Sequence, residues 1–350
     1  MNLIWTQYAD FLDHLTLLWA LILLPVGLLI LIKGADWLVD GAVAVAKQFG
    51  LSPLIIGLTI VAMGTSAPEA AASIQAALDN SPGIAVGNVY GSNIANLALV
   101  GGLCALIRPI AVSRAVLIRD IPLMLAVVLG LYPIFYNHTL TRFESIVMLV
   151  VFGCIIVFMI QTEKRRARSN VQVAEQQRSA VEHAAAFQPQ SLFISLCLIG
   201  IGLVCLAEGA GLTVASAKTI GIHAGLSDAV VGVTIVAIGT SLPELLTCLI
   251  ASLKGHDDLS IGNLVGSNIF NTLLVIGASG VVKPYSIAVF PELTGSYYMW
   301  MLSVLFLFSG LAFVFKKITK PAGMLLVLSY VIYIVYSLGF FAKVNNIMTR

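Results

Sequence analysis

The sequence predicts an all-α integral membrane protein of ten transmembrane helices arranged as two inverted-topology repeats of five. Three observations lead there. Of 350 residues, 59% are hydrophobic and 10% charged, with a mean hydropathy of +0.98, far from the balance of a soluble domain. Apolar runs of about 20 residues, the length that crosses a bilayer, recur through the chain. The second half also repeats the first at a fixed offset of 175 residues.

Taken in order, the first run covers 17–32. Asp10 and Asp13 precede it where a secretory leader would be basic, and no small-residue cleavage site follows, so it is expected to remain as a span. Four more lie near 51–78, 84–107, 118–136 and 145–160. Residues 161–190 form the one long hydrophilic segment, a loop or partly helical linker. Its KRRAR run at 164–168 reads as a topology anchor, the alternative being a contact for anionic lipid. Runs near 192–217, 226–253, 261–282, 297–315 and 324–341 complete the set. Continuous apolar stretches, rather than alternating ones, select a helical bundle over a barrel. The organisation is therefore 1–160, a first five-helix repeat; 161–190, a linker; and 191–350, a second repeat.

With spans alternating sides and the amino terminus outside, fourteen Lys and Arg fall in cytoplasmic segments and five outside. This positive-inside bias places both termini away from the cytoplasm. Cys104, Cys154, Cys197, Cys205 and Cys248 lack paired metal-type spacing and read as small packing residues.

The repeat is explicit. GLTIVAMGTSAPE at 57–69 returns as GVTIVAIGTSLPE at 232–244, with ten of thirteen positions identical, and GNVYGSNIANL from Gly87 returns as GNLVGSNIFNT from Gly262 with seven of eleven. Gly34-Ala35 and Arg108-Pro109 recur as Gly209-Ala210 and Lys283-Pro284. An odd number of spans per copy makes the second copy enter the membrane from the opposite side, as in many secondary transporters.

Within these motifs, helical spacing puts Glu69 on one face with Thr65 and Ser66, and Glu244 with Thr240 and Ser241. In the next span of each half, Ser92 and Asn96, and Ser267 and Asn271, lie four apart. Pro68 and Pro243 cannot donate to the carbonyls of Gly64 and Gly239, so a kink is expected at each, with carbonyls freed near Ala62 and Ala237. An intramembrane glutamate costs about 3 kcal/mol or more to insert, and this chain places two at equivalent positions. The plainer alternative is that each is protonated and bonds a neighbouring helix.

The donor set is oxygen only, which suits hard cations such as Ca2+, Na+ or Mg2+ rather than zinc or copper. His14, His138, His183, His223 and His256 lie outside the motifs. Two ionised glutamates leave a site charged at about minus two, costly to move through a low-dielectric barrier until cations neutralise it. Only loaded states then switch sides, a rule that favours exchange over leak. Gly87, Gly91, Gly102, Gly262, Gly266 and Gly277 read as close-packing positions, the alternative being lipid-exposed flexibility. Asn88, Asn93, Asn263 and Asn268 read either as ion contacts or as bridges across broken backbone.

GTSAPE with GNVYGSNIAN, and GTSLPE with GNLVGSNIFN, resemble the two alpha repeats of the sodium/calcium exchanger family, within the cation/Ca2+ exchanger superfamily. The motifs cover about 90 residues, and the ten-span inverted layout covers the whole chain. The resemblance implies a site near the bilayer midplane between the second, third, seventh and eighth spans, with the long first and sixth spans sliding to alternate access. It implies ligands at Ala62, Thr65, Ser66, Glu69, Ser92 and Asn96, and at Ala237, Thr240, Ser241, Glu244, Ser267 and Asn271. Some relatives carry aspartate where Asn271 stands, potassium-dependent exchangers included, which argues against potassium co-transport. No histidine accompanies the acidic motifs, as it typically does in proton-coupled relatives, and the linker is too short for the calcium-sensing domains of animal exchangers.

The resulting expectation is a prokaryotic inner-membrane antiporter, not an enzyme, exchanging Na+ for Ca2+ without a cofactor or nucleic-acid partner. A Ca2+/H+ antiporter using the same glutamates is the alternative. A remote second is an intramembrane hydrolase with Ser66 as nucleophile and Glu69 as base. Oligomeric state is left open.

Overall fold

A computed structural model describes residues 15–178, 191–224 and 237–348. The helices are α1 (Leu17–Gln48), α2 (Pro53–Thr65), α3 (Ala67–Leu78), α4 (Pro82–Ile107), α5 (Val116–Ile134), α6 (Arg142–Arg178), α7 (Leu192–His223), α8 (Ala237–Thr240), α9 (Leu242–Leu253), α10 (Asp257–Val282), α11 (Pro291–Phe315) and α12 (Lys320–Met348). Four two-residue strands lie in the connections: β1 (Ile110–Ala111), β2 (Thr139–Leu140), β3 (Tyr285–Ser286) and β4 (Lys317–Ile318). Among the described residues, eight helices are long and apolar enough to cross a membrane, and α2 with α3, bent by 45° at their junction, makes a ninth when taken as one span. The expected seventh span, 226–253, is described only from Ala237 onward. Asp10, Asp13, His14 and His183 lie outside the described residues.

Proline marks the helix starts. Pro53, Pro68, Pro82, Pro243 and Pro291 each stand at the first or second helical position, where no intrahelical N–H bond is required. The 175-residue offset is also structural: shifting α1 gives the bounds of α7, shifting α3 gives those of α9, and shifting β1 gives those of β3. Three helices run past their expected apolar segments. α1 and α7 continue to Gln48 and His223, and α6 carries the linker onward as helix to Arg178.

The centre of the bundle is α4 and α10. Of their membrane-length windows 78% is buried, against 22% for α1 and 28% for α7, which form an outer layer. The two layers use the same packing device. A Cβ on Gly57 would sit 2.5 Å from the Leu259 carbonyl, one on Gly262 2.6 Å from that of Leu54, and one on Gly266 2.7 Å from that of Leu58. α2 and α10 therefore meet backbone to backbone, as the sequence pattern expects of Gly262 and Gly266. Gly102 packs on Gly323 and Val327, and Gly277 on Ser145 and Leu149. For Gly87 and Gly91 the corresponding partner segment, 229–233 by the repeat offset, lies outside the described residues.

α1 and α7 meet through Gly27 against Gly209, Gly34 against Gly202 and Gly41 against Ser195. Numbers rise on one helix as they fall on the other, so the two equivalent helices run antiparallel. The strands cross between halves likewise: β1 pairs with β4 and β2 with β3, both antiparallel. Basic residues after the third span of each half complete the exchange. Arg108 donates to the Ser252 carbonyl and lies 3.7 Å from Asp257, while Lys283 donates to the Leu78 carbonyl at 3.1 Å. Each cation thus meets the carbonyl end of the other half's glutamate-bearing helix, where positive charge is favoured.

Close packing at α1 and α7 gives a direct test. Gly202→Val should lower stability by about 1–3 kcal/mol, because its Cβ meets the Gly34 carbonyl at 2.8 Å. Gly153→Val, with no described atom within 4 Å of its Cβ, should leave thermal unfolding in detergent unchanged. Equal unfolding temperatures for the two variants would contradict the packing.

Candidate ion-binding site

Glu69 and Glu244 stand in the first turns of α3 and α9, behind Pro68 and Pro243. Their helices begin at equivalent breaks, Ser66 with φ −89° and ψ 6°, and Ser241 with φ −91° and ψ 5°. The proline rings force this restart, and it places each carboxylate among the unpaired N–H groups of a helix N-terminus, which favours negative charge. The break corrects the one-face reading of Thr65, Ser66 and Glu69. The two hydroxyl residues end one segment and the carboxylate begins the next, so they meet at a junction instead of stacking along one helix.

The Ala62 carbonyl is not freed as expected. It accepts the Ser66 N–H at 3.0 Å, and the Thr65 hydroxyl shares its proton between that carbonyl at 3.4 Å and Asn263 Oδ1 at 3.3 Å. Pro68 lies too late in the chain to disturb the Ala62–Ser66 bond. Ala237 opens α8, and only its backbone is described.

Burial gathers the rest of the predicted set. Thr65, Ser66, Glu69, Ser92, Asn96, Ser241, Glu244, Ser267 and Asn271 are all buried, and Thr240 is half-buried. The halves are joined directly: Ser66 Oγ donates to Glu244 Oε1 at 3.1 Å. Ser66 therefore pairs with Glu244 rather than Glu69, and the nucleophile–base pair of a hydrolase does not form as expected.

Nine buried side-chain atoms on six of these residues have no hydrogen-bond partner among the described residues: both oxygens of Glu69, Oε2 of Glu244, both amide atoms of Asn96 and of Asn271, and the hydroxyls of Ser241 and Ser267. Buried polar groups are ordinarily paired, and leaving them unpaired is expensive. Seven of the nine are carboxylate, hydroxyl or amide oxygens, spread over all six residues, the inventory a hard cation requires. They draw on α3, α4, α9 and α10, two elements from each half.

Three features were not legible in the sequence. Asn96 and Asn271 fall in π-helical segments, Ala95–Val100 and Asn271–Val275, at equivalent places in α4 and α10. Such segments recur at functional sites because the wider turn re-aims side chains. Asn88 donates to the Glu69 carbonyl at 3.1 Å and to Ser73 Oγ at 2.9 Å, and its counterpart Asn263 donates to Cys248 Sγ at 3.3 Å. These asparagines brace the glutamate helices, the bridging role among the two expected. Asn93 bridges α4 to α10 by donating to Thr272 Oγ1 at 3.0 Å, while Asn268 bonds its own helix at the Leu264 carbonyl. The motif spacing marked all four asparagines without showing which bond each would make.

Comparison with known proteins follows the same lines. Residues 19–161 and 194–339 match the sodium/calcium exchanger protein family. CaxA of Alkalimonas amylolytica is 39% identical over 315 residues, 90% of this chain and 97% of that protein. The sodium/calcium exchanger MaX1 of Methanosarcina acetivorans is 32% identical over 301 residues, 76% of this chain and 84% of MaX1. Among solved structures, the sodium-calcium exchanger NCX_Mj soaked with Na+ and Sr2+ aligns with a TM-score of 0.76 and 29% identity, covering 91% of this chain and 99% of that one.

Removing a brace should be measurable. Asn88→Ala leaves the Glu69 carbonyl and Ser73 Oγ without their donor, and a stability loss of about 1–3 kcal/mol is expected in thermal unfolding. An unchanged transition would remove Asn88 from the site's scaffold.

Proposed function

The chain belongs to the sodium/calcium exchanger family, and from that premise we propose that it exchanges Na+ for Ca2+ across the inner membrane by alternating access. The carrying observation is the pair of buried carboxylates, one from each half, surrounded by unpartnered neutral oxygens. Ca2+ takes six to eight oxygens at about 2.3–2.6 Å, and its double charge matches two glutamates; several Na+ would neutralise the same pair. Ser66, Thr65, Asn96, Asn271, Ser92, Ser267, Thr240 and Ser241 supply uncharged ligands, with the Ala237 carbonyl adding to them, whereas the Ala62 carbonyl is already engaged by the Ser66 N–H and the Thr65 hydroxyl. Asn271 keeps the site at two charges.

The coupling rule follows from charge. An empty site at about minus two is held in place by the cost of carrying it through hydrocarbon, whereas a loaded one is close to neutral and free to move. Exchange then wins over leak without any further gate. Support for two inverted repeats of five spans, 1–160 and 191–350 about the 161–190 linker, comes from the antiparallel α1 and α7 and from the crossed strand pairs. The positive-inside bias places both termini outside the cytoplasm, and the lipid-facing side chains of α1 and α7 make the bilayer the protein's other partner.

Two measurements test the reading. In proteoliposomes, uptake of labelled Ca2+ should depend on an outward Na+ gradient and not on a pH gradient. Dependence on the pH gradient alone would instead assign proton coupling through the same glutamates, and rapid Ca2+ release with no cation on the far side would refute exchange. Glu69→Gln and Glu244→Gln should each lower Ca2+ transport at least about tenfold, since each removes half of the compensating charge. Normal transport in both single variants would sink the site.

A further inference from the structure

We propose that Lys254, held between Asp36 and Asp40, is a one-sided latch that favours the access state described here over its mirror state. The inference rests on the alternating-access reading above. Lys254 follows the last turn of α9, the helix that carries Glu244. Its ammonium lies 2.6 Å from Asp36 Oδ1 and 2.6 Å from Asp40 Oδ1, and it donates to the Asp36 carbonyl at 3.4 Å. Asp36 and Asp40 are one helical turn apart on α1, so a single cation bridges both. Lys33, 3.8 Å from Asp36, shares that carboxylate. The three side chains of the bridge are 29%, 31% and 52% exposed, so solvent screens it only in part.

What the bridge ties together gives it meaning. α1 and α7 form the peripheral layer, paired through glycines, while α9 belongs to the glutamate-bearing core. Any movement of that layer along the core must break the contact between α1 and the end of α9.

The repeat shows what replaces it. By the 175-residue offset, Lys254 corresponds to Asp79, Asp36 to Gly211 and Asp40 to Ala215. In the mirror state α7 would meet the end of α3 as α1 now meets the end of α9. Asp79 would then face Gly211 and Ala215, and no ion pair would form. Asp79 is served by its own helix instead, accepting from Gln75 Nε2 at 3.0 Å. A swap between halves that leaves helix packing alike therefore leaves the charges unlike. Partly exposed ion pairs of this kind shift an equilibrium by about twofold to fivefold each.

The test is a distance distribution between spectroscopic labels on genetically encoded residues at exposed Leu29 of α1 and Val314 of α11, in nanodiscs with Na+ or Ca2+. Lys254→Gln should lower the population of the bridged state about threefold to twentyfold. High salt should move the unaltered protein the same way and the variant little. The mirror latch, Asp79→Lys with Gly211→Asp and Ala215→Asp, should raise the opposite state. A distribution that responds to the ions but to neither set of substitutions would overturn the latch alone. A distribution that ignores both ions would contradict the alternating-access reading, and the latch with it.

Discussion

Two carboxylates withdrawn from water set the terms for everything around them. Glu69 and Glu244 are fully buried in the middle of an apolar bundle, where an isolated charge is costly and an unpaired one more so. The local fold offers each a helix N-terminus, created by the proline that interrupts the preceding segment. Ser66 of the opposite half donates its hydroxyl to Glu244. These do not compensate two charges. In the function proposed above cations supply the remaining stabilisation, and a site balanced only when loaded favours exchange over leak.

The same demand explains the packing. Bringing glutamates and amides from both halves together requires α2 and α10 to approach backbone to backbone, and Gly57, Gly262 and Gly266 permit it. Central helices that carry polar residues must be hidden from lipid, which is why α4 and α10 are buried while α1 and α7 take the exposed positions. Duplication supplies matched parts, and the bonds between halves then diverge. Asn88 uses Ser73 where Asn263 uses Cys248, and Asn93 reaches Thr272 where Asn268 donates to its own helix. The cysteine at 248 is thus a hydrogen-bond acceptor as well as a packing residue.

Much of this was legible in the residues. Long apolar runs located the helices, and the offset between GTSAPE and GTSLPE paired them and singled out side chains that prove to be buried together. What escaped the sequence was backbone detail. Pro68 announced a break but not that it would fall at Ser66, since the helix can restart with proline in its second position. The Ala62 carbonyl keeps its bond to the Ser66 N–H because that bond lies ahead of the proline. The π-helical turns at Asn96 and Asn271 have no compositional mark, because one extra residue in a turn changes no residue type. α1 and α7 outran their apolar segments because contacts hold the polar extension. Asp36 and Asp40 are charged, and hydropathy could not foresee that Lys254 would meet them.

In the proposed exchange cycle one cation is held by both halves at once. A structure determined with Ca2+, or with Sr2+ for its anomalous scattering, tests it most directly. Ion density is expected between Glu69 and Glu244, within about 2.3–2.6 Å of oxygens from each. Density bound to one glutamate and remote from the other, or a fully loaded protein with no ion between them, would contradict it.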